Sequence, residues 1–233
     1  MQTGPVNLIA ELWARATATS APLEPTVTLA MAGVALAAVL LAWPVVRLLV
    51  TICHEGGHAL VALLTGRQLR GIRVHSDTSG LTLTRGRPTG FGMVATLFAG
   101  YPASSVLGLG AAWLVASGYA AGVLWLSVAG LAVMLLSIRN FYGALVVALT
   151  GTLLALASWF IPGDFVAWLA GLVSWMLLLA GPRPVIELFG NRSPGSDAAQ
   201  LARLTHVPRV VWTLGWLALS VAALFAGGRW LLA

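Results

Sequence analysis

His54-Glu55-Gly56-Gly57-His58 is the densest concentration of chemistry in the chain. On a helix, residues four apart lie one turn apart on the same face, so His54 and His58 can offer two imidazoles to one metal ion. Glu55 stands beside the first of them, where a carboxylate can take a proton from an attacking water. The pattern sits inside the apolar run from Pro44 to Gly66. Ionisable side chains in such a run are costly to bury and more often mark function than packing. Two buried histidines that only pack or hydrogen-bond are the plainer reading. The residue types and their spacing point instead to zinc-dependent hydrolysis.

The surroundings of the motif are those of a membrane. Of 233 residues, 59% are hydrophobic and only 9% are charged, and the mean hydropathy is +0.91. A soluble domain carries roughly a quarter charged residues, and a bilayer-spanning helix takes about 20 apolar ones. The composition is that of a polytopic, all-α membrane protein in a lipid bilayer. A net charge of +6 does not imply nucleic acid. Every basic residue is Arg, and most lie in two inter-helix segments, as the positive-inside rule places them in cytoplasmic loops. The single cysteine, Cys53, allows no internal disulfide and reads as a small buried hydrophobe rather than a ligand. No cleavable signal peptide is legible at the N-terminus.

Taken in order, residues 1–25 form a tail in which Val6–Ala16 has the apolar face of an interfacial helix. Residues 26–233 form one integral-membrane domain. Apolar runs at Thr26–Trp43 and Val45–Gly66 meet at Pro44, which either separates two spans or kinks one. Within the polar segment 67–87, Leu69–His75 and Leu81–Arg85 alternate as strands about the turn Ser76-Asp77-Thr78-Ser79-Gly80. This predicts a β-hairpin beside the membrane, whose exposed edge could accept an extended peptide. Further spans are expected at Phe91–Ser117, Tyr119–Ile138, Phe141–Ile161, Phe165–Gly181 and Arg209–Leu232, with a second polar segment at 182–208. The expected count is six or seven transmembrane helices.

His54-Glu55-Gly56-Gly57-His58-Ala59-Leu60, Gly71-Ile72-Arg73-Val74-His75 and Ser79-Gly80-Leu81-Thr82 together resemble the B-like branch of the site-2 protease family. So do Ala99-Gly100-Tyr101-Pro102-Ala103-Ser104-Ser105 and Ser196-Asp197-Ala198. The resemblance covers about residues 45–216 and implies an intramembrane metalloprotease that uses Zn2+ and cleaves transmembrane protein substrates. Better-known members supply the third zinc ligand as the Asp of an Asn-Pro-Asp-Gly-like motif. Here the matching place reads Asn140-Phe141-Tyr142-Gly143, with Tyr142 where the Asp would stand.

The third ligand must then come from elsewhere. Glu11 and Glu24 precede the membrane core, and Asp164 belongs on the far face. Asp197 is favoured because Ser196-Asp197-Ala198 looks like a family signature, although Ser196 and Asp197 also read as a helix N-cap and a first-turn acid. Glu187 and the Asn140 side-chain oxygen stay open as alternatives. The place of Asn140 in the resemblance also implies binding of substrate backbone or an oxyanion. His75 reads as an outward strand residue and His206 as loop.

The reading is therefore a zinc metalloendopeptidase with Glu55 as catalytic base and His54, His58 and Asp197 as ligands. A catalytically inactive protease-like scaffold or chaperone is the alternative, favoured by Tyr142. A transporter fits poorly, since the spans hold almost no other ionisable groups. The all-Arg, single-Cys usage fits a bacterial inner membrane with the polar segments cytoplasmic.

Overall fold

The computed structural model describes residues 5–190 and 193–233. Its first elements are α1 (Pro5–Ala16), α2 (Pro25–Leu41), α3 (Trp43–Leu64), and the strands β1 (Gln68–Val74) and β2 (Gly80–Arg85). Then come α4 (Phe91–Ala116), α5 (Ala120–Leu135), α6 (Phe141–Phe160), α7 (Gly163–Ala180), α8 (Pro182–Gly190), α9 (Asp197–Thr205) and α10 (Arg209–Leu232). Five helices, counting α7 and α8 as one continuous run, are long and apolar enough to cross a membrane. The apolar helices α2 and α5 are shorter.

A single residue, Ala42, joins α2 to α3, so Pro44 falls in the first turn of a new helix, where its missing N–H costs nothing. The break redirects the chain. Met31 of α2 packs on Gly171 of α7, while α3 crosses α4 closely at Gly57. A Cβ on Gly57 would stand 2.7 Å from the Ala99 carbonyl oxygen and 2.8 Å from the Ala103 Cβ. Small residues at this crossing bring the two backbones together, the usual means of helix association in lipid. Along α6, Leu145, Leu149, Leu153 and Leu156 stay exposed at helical spacing, the stripe a lipid-facing helix presents.

The hairpin forms where the alternation predicts, but its position is deeper than a surface loop. It folds back along α3, with the Thr51 hydroxyl donating to the Thr78 carbonyl (2.7 Å) and the Thr82 hydroxyl reaching Glu55. From Leu64 back to Thr51 is roughly 20 Å of helix. The Arg67 guanidinium closes the base of the hairpin on the Arg87 carbonyl (2.6 Å).

Of the two hairpin edges, the outer edge of β1 is already taken. The Ile72 N–H donates to the Ser137 carbonyl (2.8 Å), and the Ile72 carbonyl accepts from the Arg139 N–H (2.8 Å). Next along, the Asn140 amide spans both backbone groups of Val74. The segment after α5 thus acts as a third strand, and Ile72 and Val74 are buried with Ile52, Ala59, Met134 and Val147. Among the described residues, none pairs with the β2 edge.

Candidate metal centre

His54 and His58 point from one face of α3 towards α4, and α4 is cut away to receive them. A Cβ on Gly100 would stand 2.5 Å from His58 Nε2 and 2.6 Å from His54 Cε1. The Nδ1 of His58 lies 2.6 Å from the Thr96 carbonyl oxygen. A carbonyl can only accept, so Nδ1 carries the proton and Nε2 is left as a lone pair facing inward. His54 is backed by the Tyr101 ring, edge-on at 4.8 Å between centroids.

Tyr101 is itself held by a device that begins at Pro102. Proline inside α4 has no N–H, so the carbonyl one turn back, at Phe98, loses its helical partner. The Trp216 indole N–H fills that place (3.0 Å), and the indole ring stacks on Tyr101 at 4.6 Å. In lipid, an orphaned carbonyl would cost several kcal/mol, roughly.

Asp197 arrives from the other end of the chain. It is the first residue of α9, behind the N-cap Ser196, whose hydroxyl accepts from the Ala199 N–H (3.4 Å). Ala198 and Leu201 on the buried face of α9 pack with Leu97, Val185, Leu188 and Trp216. That packing seats the helix start over the imidazoles. Asp197 Oδ2 lies 3.3 Å from His54 Nε2 and 3.2 Å from His58 Nε2, and the two imidazole nitrogens are 3.0 Å apart. Burial pushes the Asp197 carboxyl up, but hydrogen bonds from His54 and His58 outweigh it and hold the group well below the usual carboxylate range.

The donor set fits zinc. Bonds of about 2.0–2.1 Å at tetrahedral angles put any two ligand atoms about 3.3 Å apart. The three separations here, 3.0, 3.2 and 3.3 Å, are close to that edge length. Among the described residues, these three are the one group of His, Cys, Asp or Glu so converged, with ligand atoms all within 4.8 Å of one another.

Glu55 is buried at 4% exposure and turned towards the hairpin. Its Oε2 accepts from the Thr82 hydroxyl (2.6 Å), and the Gly80 backbone is packed against Oε1. The other candidates lie apart. Glu187 accepts from the Trp43 indole (2.9 Å) and pairs with Arg47 (3.5 Å). Asn140 clamps β1 through Nδ2 to the Val74 carbonyl (2.7 Å) and Oδ1 from the Val74 N–H (3.2 Å). His75 sits by the Ser79 hydroxyl (3.2 Å), and His206 closes α9 in a left-handed conformation.

Sequence reasoning missed Thr96, Thr82 and Trp216 as parts of this centre. Two left a trace: Thr82 closes the Ser79-Gly80-Leu81-Thr82 match, and for Trp216 an interior proline in a membrane helix announces a carbonyl in need of a donor.

A membrane-embedded bundle with two imidazoles and a carboxylate converging beside a buried glutamate has the make-up of a metal-dependent hydrolase. The family model described as Peptidase M50B-like matches residues 26–227. The chain belongs to that family, a site-2 protease family, and with its five long apolar helices it is an integral membrane protein. No curated protein and no solved structure matches it.

Proposed function

We propose that the protein is an intramembrane zinc metalloprotease, and the observation that carries this is the convergence of His54, His58 and Asp197 at metal-ligand separations. His54 and His58 would hold the metal through Nε2 and Asp197 through its carboxylate. Asp197 thereby takes the part that the family motif would give to an Asp at Tyr142, which removes the main ground for an inactive scaffold. Bound there, zinc would polarise the scissile carbonyl and lower the pKa of a water towards about 7.

The protein's own residues do the rest. Glu55 takes the proton of the attacking water at Oε1 and returns it to the leaving amine nitrogen, while Oε2 stays with Thr82. The substrate is a membrane-spanning segment, locally unwound. Gly80, Thr82 and Thr84 turn their backbone N–H and C=O groups towards the open edge of β2, where an extended chain can add as a strand. Asn140 serves by fixing the opposite edge of the hairpin rather than by meeting substrate. The two Arg-rich segments face the cytoplasm of a bacterial inner membrane, and α1 lies along the bilayer surface.

The test is zinc per chain and cleavage of a transmembrane reporter in proteoliposomes. Wild type should carry one zinc, Asp197→Ala should lose it, and Glu187→Ala should keep it. Glu55→Gln should retain zinc and lose cleavage by at least about 100-fold. Turnover by Glu55→Gln at the wild-type rate would refute the mechanism, and full zinc in Asp197→Ala would refute the ligand set.

A further inference from the structure

We infer that Thr82 is the positioning residue for Glu55, and that it joins the carboxylate to the strand edge on which substrate would dock. The second half rests on the proposed function; the first rests on geometry alone.

A buried carboxylate needs partners, and none of the cations among the described residues forms an ion pair with Glu55. What it has is the Thr82 hydroxyl at 2.6 Å, a short charge-assisted bond, and the wall of the Gly80 backbone. One oxygen is therefore pinned and the other confined, which fixes the plane of the carboxylate. A hydroxyl suits this place better than a guanidinium or ammonium. It orders the carboxylate without drawing it into an ion pair.

Thr82 also faces the other way. Its partner across the hairpin, Ile72, spends its backbone N–H on the Ser137 carbonyl and its C=O on the Arg139 N–H, away from β2. Directly opposed residues in an antiparallel pair point their backbone groups either both inward or both outward. The N–H and C=O of Thr82 therefore point to the open edge, while its side chain, on the face it shares with Ile72, reaches α3. A substrate strand bonded at Thr82 is thus two short links from the general base.

The experiment compares Thr82→Val, which keeps the shape and removes the hydroxyl, with Thr82→Ser, which keeps the hydroxyl. In proteoliposomes, Thr82→Val should lower kcat about tenfold or more with zinc content and KM unchanged, and Thr82→Ser should stay within about threefold of wild type. Thermal unfolding in detergent supplies a readout independent of activity. Thr82→Val should lower Tm by about 2–4 °C in the wild-type background and leave it unmoved in a Glu55→Leu background. Equal Tm losses in both backgrounds, or a serine variant as impaired as the valine, would show that Thr82 merely packs and would overturn the inference. Activity lost in Glu55→Gln but intact in Thr82→Val would also overturn it while leaving the proposed function standing. Full activity in Glu55→Gln would sink the proposed function, and the Tm comparison would still decide the role of Thr82.

Discussion

Adding one methyl group to α4 should break the metal centre without breaking the fold. At Gly100 a Cβ would stand 2.5 Å from His58 Nε2 and 2.6 Å from His54 Cε1, where ordinary contact is about 3.5 Å. Each ring would have to retreat by about 1 Å, far beyond the roughly 0.2 Å that a zinc site tolerates in its bond lengths. The rings have little room to retreat. His58 is tied by Nδ1 to the Thr96 carbonyl on α4 itself, one turn from the new methyl, and His54 is backed by Tyr101. Overpacking of this kind costs about 1–3 kcal/mol, which leaves the protein folded. Gly110, on the same helix, has nothing within 4 Å of a built Cβ and supplies the control. Gly110→Ala should bind zinc as wild type does and gain up to about 1 kcal/mol of helix propensity. The assay is competition of each purified variant against a chelator of known zinc affinity, with circular dichroism to verify equal helicity. Gly100→Ala should lose at least tenfold in affinity, about 1.4 kcal/mol. Wild-type affinity in Gly100→Ala would mean that the metal is not held where His54 and His58 meet α4.

Two further outcomes follow from hydrogen bonds outside the ligand set. Asn140→Ala removes both side-chain bonds to Val74, so hydrogen exchange at the Val74 amide should rise at least tenfold while zinc stays bound. An unchanged exchange rate there would show that the clamp is dispensable. Trp216→Phe keeps a ring against Tyr101 but strands the Phe98 carbonyl, and the Tm should fall by the equivalent of about 1–3 kcal/mol; a Tm equal to wild type would deny that Pro102 needs this donor.

What was legible in the sequence follows from the range over which each signal acts. His54 and His58 are related by one helical turn, so their spacing alone carries their geometry. The strands of the hairpin show themselves by alternation, and the break before α3 by Pro44, each within a few residues. Asp197 is different. Nothing local distinguishes a first-turn aspartate that completes a metal centre from one that merely caps a helix, because Ser196 and the helix dipole favour it in both cases. The signal for its use lies in Ala198 and Leu201, whose burial seats α9 on α4 and α10, and that is a property of the folded whole. The covering of the β1 edge has the same origin. Ser137–Asn140 reads as a joint between two spans, and only tertiary packing makes it a hydrogen-bonding partner for β1.

The depth of the hairpin and the source of Asp197 are two answers to one physical problem. The hydrolytic centre proposed on α3 would need polar groups and access for an extended backbone at a level where lipid tolerates neither. The chain does not thread polar residues through its spans to meet this need. It folds two polar segments inwards from the same side: β1–β2 brings Thr82 and Gly80 to Glu55, and α9 brings Asp197 to the imidazoles. The backbone of the inserted hairpin is satisfied on one edge by Ser137–Asn140, and the other edge is left for a strand to complete. An open strand edge in a bilayer is costly unless something pairs with it, and this is the physical argument for the proposed docking of a substrate strand along β2.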